Sequence, residues 1–111
     1  MTALAITPVH AILPTIAAGA FFTVPAGEEN AVALRLTNYS GAAVTVSLWL
    51  VPAGEVLASK HYRLAGWKLA PATSEDPEIA LPLPPGASLY ATASVANSVA
   101  ASLTGTRRSL A

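Results

Sequence analysis

Proline and glycine interrupt this chain every ten to twenty residues, and no stretch free of both sustains a 3.6-residue hydrophobic period. An interior proline costs a helix about 3 kcal/mol and a glycine about 1. What remains between the breaks is a set of short apolar segments, each the length of a strand. Strand patterning is clearest in two of them. Val32, Leu34 and Leu36 alternate with Ala33, Arg35 and Thr37, and Val44, Val46, Leu48 and Leu50 alternate with Thr45, Ser47 and Trp49. Period-2 alternation puts one set on a buried face and the other on an outer face. Asn38-Tyr39-Ser40-Gly41 lies between them and is rich in turn formers, so the pair reads as a β-hairpin.

Further strands are expected over 6–13, 20–24, 55–59, 62–69, 78–83, 88–94 and 99–105, the last two as a second hairpin through 95–98. Alanine is dense over 87–103, but Leu89, Ala91 and Ala93 alternate with Tyr90, Thr92 and Ser94, which favours a strand. The pentapeptide Val24-Pro25-Ala26-Gly27-Glu28 recurs as Val51-Pro52-Ala53-Gly54-Glu55. Proline second and glycine fourth suit a type I turn, whereas Pro84-Pro85-Gly86 suits type II. Two copies do not make a solenoid. Residues 71–77 (PATSEDP) read as an exposed polar loop. Short strands with regular turn signals imply an all-β fold: one β-sandwich, jelly-roll or Ig-like, of about eight antiparallel strands. An N-terminal arm or first strand covers 1–19, the sandwich 20–105 and a C-terminal tail 106–111.

Charge limits the function classes. The 111 residues carry six basic and six acidic side chains, for a net charge of zero. An average domain of this length would carry about 28 charged residues. Disorder, which goes with low hydrophobicity and high net charge, is disfavoured, as is nucleic-acid binding, which calls for a basic patch. Without cysteine there is no disulfide framework, thiolate metal site or cysteine nucleophile. Residues 1–27 carry no charge, yet Pro8, Pro14 and Pro25 interrupt them, and the first basic residue is Arg35. Neither a spanning helix nor a secretory leader fits.

Candidate chemistry is sparse. There is no Gly-x-Ser-x-Gly elbow, and His10 and His61 sit in no partner pattern, so no catalytic residue is assigned. Glu75, Asp76 and Glu78 lack the spacing of a calcium loop, and no metal or cofactor is expected. Asn38-Tyr39-Ser40 fits a glycosylation sequon but sits where a turn would place the same residues. Trp49 falls among Thr45 and Ser47 on an outer face, which marks a second packing layer or a contact surface. Arg107 and Arg108 read as a terminal pair suited to a neighbouring acidic surface.

The order TVPAG, RLTN, GAAVTV, LVPAG and PPGASLYATAS over residues 20–105 resembles small all-β structural proteins of tailed bacteriophages and prophages. The resemblance implies a β-sandwich virion component with no enzymatic residues to carry over. The expected role is that of a homo-oligomer, with a trimer as the working symmetry. It would dock on major capsid, tail or fibre proteins as a decoration, cement or fibre-base protein, in a virion made in the bacterial cytoplasm. Low charge fits, because interface cores are depleted in it. The candidate interface comprises Ile6, Val9, Ile12 and Leu13 from an arm that adds a strand to a neighbour, with Trp49, Trp67, Arg107 and Arg108. The alternative is a receptor- or glycan-binding module built on exposed aromatics such as Tyr39, Trp49, Tyr62 and Trp67.

Overall fold

The computed structural model describes residues 3–110. Among them, nine strands run in chain order as β1 (Leu4–Ala5), β2 (Val9–Ile12), β3 (Phe22–Thr23), β4 (Glu28–Asn38), β5 (Val44–Val51), β6 (Tyr62–Leu69), β7 (Thr73–Leu83), β8 (Ser88–Ala93) and β9 (Val99–Ser109). A single 3₁₀ turn, Ser59–His61, precedes β6. The strands form two antiparallel sheets. In sheet A, β9 lies between β4 and the short pair β1 and β2, and β7 closes the far edge; sheet B runs β3–β8–β5–β6. With β1 and β2 taken as one interrupted strand, each successive strand crosses to the opposite sheet except from β5 to β6. This is the jelly-roll order of two Greek keys, and it decides against the Ig-like arrangement.

That order corrects both expected hairpins. β4 pairs with β7 and β9 while β5 pairs with β6 and β8, so residues 39–43 form an arch between sheets. β8 and β9 are likewise in different sheets, joined by an arch over 94–98. Alternation had assigned faces correctly, with Val32, Leu34, Leu36, Val44, Val46 and Leu48 all buried. The expected polar loop over 71–77 is instead largely the first half of β7. Two bulges, at Asp76–Pro77 and at Ile79–Ala80, give β7 an extra residue each against β4. β7 is an edge strand, so Pro77 removes no needed ladder bond. Residues 55–59, expected as a strand, form none, and Ser59 opens the 3₁₀ turn.

The terminal segments belong to the sandwich. β1 and β2 pair with β9 of the same chain, and β9 runs on to Ser109, so neither a free arm nor a tail from 106 exists among the described residues; positions 1, 2 and 111 lie outside them. Ile6 and Leu13 alternate into the core and are only 7% and 1% exposed. With them pack Leu34, Leu36, Leu48, Leu69, Leu83, Leu89 and Leu103 from both sheets, each buried leucine contributing about 1.5–3 kcal/mol.

Both ends of the sandwich are fastened by turns. At one end Glu28 N–H bonds to Pro25 O (3.3 Å), Glu55 N–H to Pro52 O (3.2 Å) and Ala87 N–H to Pro84 O (3.2 Å). Gly27, Gly54 and Gly86, with φ of 81°, 79° and 77°, each occupy the third turn position. Only type II turns pair a positive φ there with an ordinary residue before it, so the repeated pentapeptide turns one residue later than expected and in type II form. Gly86 N–H also bonds to Val24 O (3.1 Å), which joins two of these turns.

At the other end a fully buried Asn38 ties two connections together, the arch over 39–43 and the turn from β6 to β7. Its Nδ2 donates to the carbonyls of Ala42 (2.8 Å), Leu69 (3.2 Å) and Ala70 (3.2 Å). Its Oδ1 accepts from the Ser40 N–H (2.9 Å) and hydroxyl (2.7 Å). The amide of the apparent sequon is thus consumed by the fold. Asn38→Ala strips several buried partners, and the expected loss is about 3 kcal/mol, read as a drop in thermal midpoint of more than about 10 °C. Gly105 marks a second sensitive point. A Cβ there would lie 2.8 Å from Val32 Cα and closer still to the Ala31 carbonyl oxygen. Gly105→Ala is therefore expected to cost more than about 2 kcal/mol through displacement of β9 from β4, measured by urea unfolding.

Candidate functional site

Among the described residues, side chains able to do chemistry stand in pairs and form no constellation. On the outer face of sheet A, His10 Nδ1 lies 3.0 Å from Ser102 Oγ. A serine against a histidine is half of a nucleophile–base arrangement, but no third side chain orients this ring, and the pair lies on an exposed strand face. His61 is buried beside the connection between β5 and β6. The Ala58 N–H donates to its Nδ1 (3.0 Å), so Nε2 carries the ring proton and donates to Glu55 Oε1 (2.9 Å). This clasp, with Lys60 Nζ 3.3 Å from the same oxygen, holds the connection closed.

The acidic cluster is dispersed by its bulged strand. Arg35 Nε and Nη2 donate to Asp76 Oδ1 (2.8 Å) and Oδ2 (3.1 Å), while Arg63 grips Glu78 the same way across the seam between the sheets. No group of three potential metal ligands forms among the described residues. Arg107 pairs with Glu28 at 3.5 Å, and Arg108 with Glu29. The acidic surface expected to receive these arginines is therefore on their own chain. Ten of the twelve charged side chains are paired, and only Lys68 and Glu75 lack an ion pair among the described residues.

With the interior filled and the charges matched, the outer faces of the two sheets are what the molecule offers a partner. The face of sheet A carries Ile12, Ala100, Ser102, Thr104, Ala31, Ala33 and Thr37, with the Arg35–Asp76 pair near its β7 edge. Ile79, 78% exposed, stands beside a shallow depression of about 480 Å³ lined by Ala33, Ser102 and Thr104 and by the ion-paired Arg35, Asp76 and Glu78. The face of sheet B carries an aromatic row. Cross-strand register places Tyr62 of β6 beside Trp49 of β5, and Trp49 beside Tyr90 of β8. The Trp49 and Tyr62 ring centroids are 4.8 Å apart with planes inclined at 31°.

Of the candidate interface residues, Ile12 and Trp49 lie on outer faces, Val9 packs half-buried against the core, and Ile6 and Leu13 are closed inside it. Ile6 and Leu13 are withdrawn from any interface because the N-terminal strands complete this sandwich rather than a neighbour's. Trp67 pairs with the inward-facing Val46, which sets it at the seam, 37% exposed and apart from Trp49. Tyr39 sits in the arch at the Asn38 end, away from the row. Tyr90 was missed as a site residue, although its alternation with Leu89 and Ala91 already placed it on the outer side.

No protein family, curated protein or solved structure matches this chain.

Two carboxylates report on pH. The hydrogen bond from Arg35 holds Asp76 below the ordinary carboxylate range, and those from His61 and then Lys60 do the same for Glu55. A carboxylate lowered in the folded state stabilises above its unfolded pKa, and that contribution disappears as pH falls through its folded value. The thermal midpoint should therefore fall between about pH 5 and pH 3. The slope should be shallower in Asp76→Asn, and an unchanged slope in that variant would show that the pair contributes nothing.

Proposed function

We propose that this chain is a non-enzymatic structural virion protein of a tailed bacteriophage, working as an oligomer docked on the head surface or the tail. The observation that carries the reading is the outer face of sheet A. It is broad and built largely of small neutral side chains with Ile12 and Ile79 exposed, and its charged residues stand in pairs, Arg35 with Asp76 and Arg108 with Glu29. The core is complete without it, so its neutrality is a property of the surface rather than a by-product of folding. Interfaces exclude charge from their centres, and a surface of zero net charge favours association.

Two further supports are of a different kind. The turn and strand motifs over residues 20–105 resemble phage structural proteins. Jelly rolls serve as viral capsid domains, an analogy at the level of fold, since they also serve as lectin and cupin domains. A decoration, cement or fibre-base protein acts by burying surface against its neighbours and uses no reacting group. Docking by faces is also the route left open when the terminal strands are already paired. The working symmetry is a trimer, with major capsid or tail proteins as the further partners.

Size-exclusion chromatography with light scattering tests this. The native chain should elute as an oligomer. Ile12→Glu combined with Ile79→Glu should reduce it to an 11.3 kDa monomer. Both sites are exposed, so folding stability should change by no more than about 1 kcal/mol. A native chain that stays monomeric at high concentration, or assembly indifferent to the two charges, would sink the proposal.

A further inference from the structure

We propose that the outer face of sheet B is a binding site for a short neutral oligosaccharide, seated on Tyr62, Trp49 and Tyr90. The three side chains are brought level by the pairing of β6, β5 and β8. Strands spaced about 4.8 Å apart make the row about 10 Å across, on the scale of a disaccharide. Its middle member stands on β5, held by ladders on both sides, so the backbone beneath the platform is fixed before any ligand arrives.

The chemistry of the face selects the ligand. A sugar ring presents an apolar C–H face that stacks on an aromatic ring, and a rim of hydroxyls that both donate and accept. Neither the Trp49 Nε1–H nor the hydroxyls of Tyr62 and Tyr90 bond to another described residue, so all three polar tips are free for such a rim. Beside the row, Ser47 of β5 and Thr92 of β8 are cross-strand partners, and Ser88 bonds to Thr23 (3.0 Å). Rings next to neutral hydroxyls are complementary to a sugar at every contact.

Charge argues against the other occupants. Arg63, the residue after Tyr62, is held by Glu78, and Lys68 pairs with Thr45 toward the far end of the face. A nucleic acid could stack its bases here but would find no cationic groove for its phosphates. The one cation of this face without an ion pair among the described residues, Lys68, stands opposite Thr45, four residues along β5 from Trp49 and so about 13 Å away, too far to serve a phosphate, sulfate or sialate seated on the row. A protein partner needs about 800 Å² on each side, whereas the aromatic part of this face is three side chains wide. This site is independent of the assembly proposed for sheet A, which lies on the opposite side of the sandwich.

The test uses the full chain carrying Trp67→Phe, so that tryptophan fluorescence reports on Trp49 alone. Cellobiose, maltose, lactose and chitobiose are titrated, with sialyllactose and a heparin disaccharide as acidic counterparts. At least one neutral sugar should change the emission saturably, and the acidic ones should bind more weakly. Tyr62→Ala and Tyr90→Ala should each weaken binding about tenfold while the fold, followed by circular dichroism, is kept. Tyr62→Phe, which keeps the ring, should lose less. Because Tyr62 is well exposed, its alanine variant tests the site even if Tyr90→Ala destabilises the sheet. Ile12→Glu with Ile79→Glu should leave sugar binding unchanged, which separates a failure here from a failure of assembly. The proposal is overturned by silence from every neutral sugar, by a preference for the acidic ones, or by affinity indifferent to Tyr62→Ala. It is equally overturned if the aromatic variants dissociate the oligomer, which would assign the row to a protein contact.

Discussion

Sheet A depends on one strand, and that strand is the last in the chain. Among the described residues β9 supplies the only ladder partner of β1 and β2, and it pairs with β4 over its whole length, from Glu28–Ser109 to Asn38–Val99. Until it is inserted, the N-terminal strands have nothing to pair with, and Ile6 and Leu13 have no core to enter. Gly105 lies at the point of closest approach to β4, where even a methyl group would strike the backbone. Sheet A is therefore closed by contacts of β9 with β1 and β2, strands far apart in sequence. Non-local pairing of this kind bears a loop-closure cost before it returns any burial.

Alternation made the buried faces legible but left strand partners hidden. Period-2 patterning identifies which side of a strand is apolar, and a jelly roll uses that side in the same way a hairpin does. The five residues 39–43 could have formed a hairpin loop; what holds them as an arch is the Asn38 side chain, which caps the local turn through Ser40 and Ala42 and also bonds to carbonyls at the end of β6. Residues 73–77 read as a loop because Ser, Glu, Asp and Pro are poor strand formers, a preference that holds for central strands and relaxes at a bulged edge. The aromatic row was half legible. Trp49 and Tyr62 could be named as outer residues, but their meeting depends on two register shifts in β6, one at Ala65–Gly66, where the Gly66 φ is 66° and its N–H is 3.3 Å from Ser47 Oγ, and one at Arg63, opposite the step from Leu48 to Trp49. The sequence does not print that register.

Edges explain why association would proceed through faces. An exposed, flat edge strand invites pairing with another chain. β7 is protected by Pro77, Pro82 and two bulges, and β6 by two register irregularities of its own and by Lys68. β3 is two residues long, and β2 is four residues set between Pro8 and Pro14. No edge among the described residues is both long and regular. An arm that docks by strand addition thus has neither a free donor nor a receptive edge in this chain, whereas the sheet faces are unobstructed.

The scarcity of charge takes a different meaning once the pairs are placed. Twelve charged side chains are few, but the arrangement matters more than the number, because ten neutralise one another across strands and seams. Exposed pairs of this kind contribute at most about 1 kcal/mol each, so stability is a weak reason for them. Their larger consequence is electrostatic: little long-range field remains to steer or repel an approaching partner. Recognition must then come from contact, through shape, apolar area and hydroxyl hydrogen bonds. The two faces divide those means between them, with small side chains and a shallow depression on sheet A and rings beside hydroxyls on sheet B. A smooth neutral face suits another broad surface, while a row of rings suits a ligand no wider than itself.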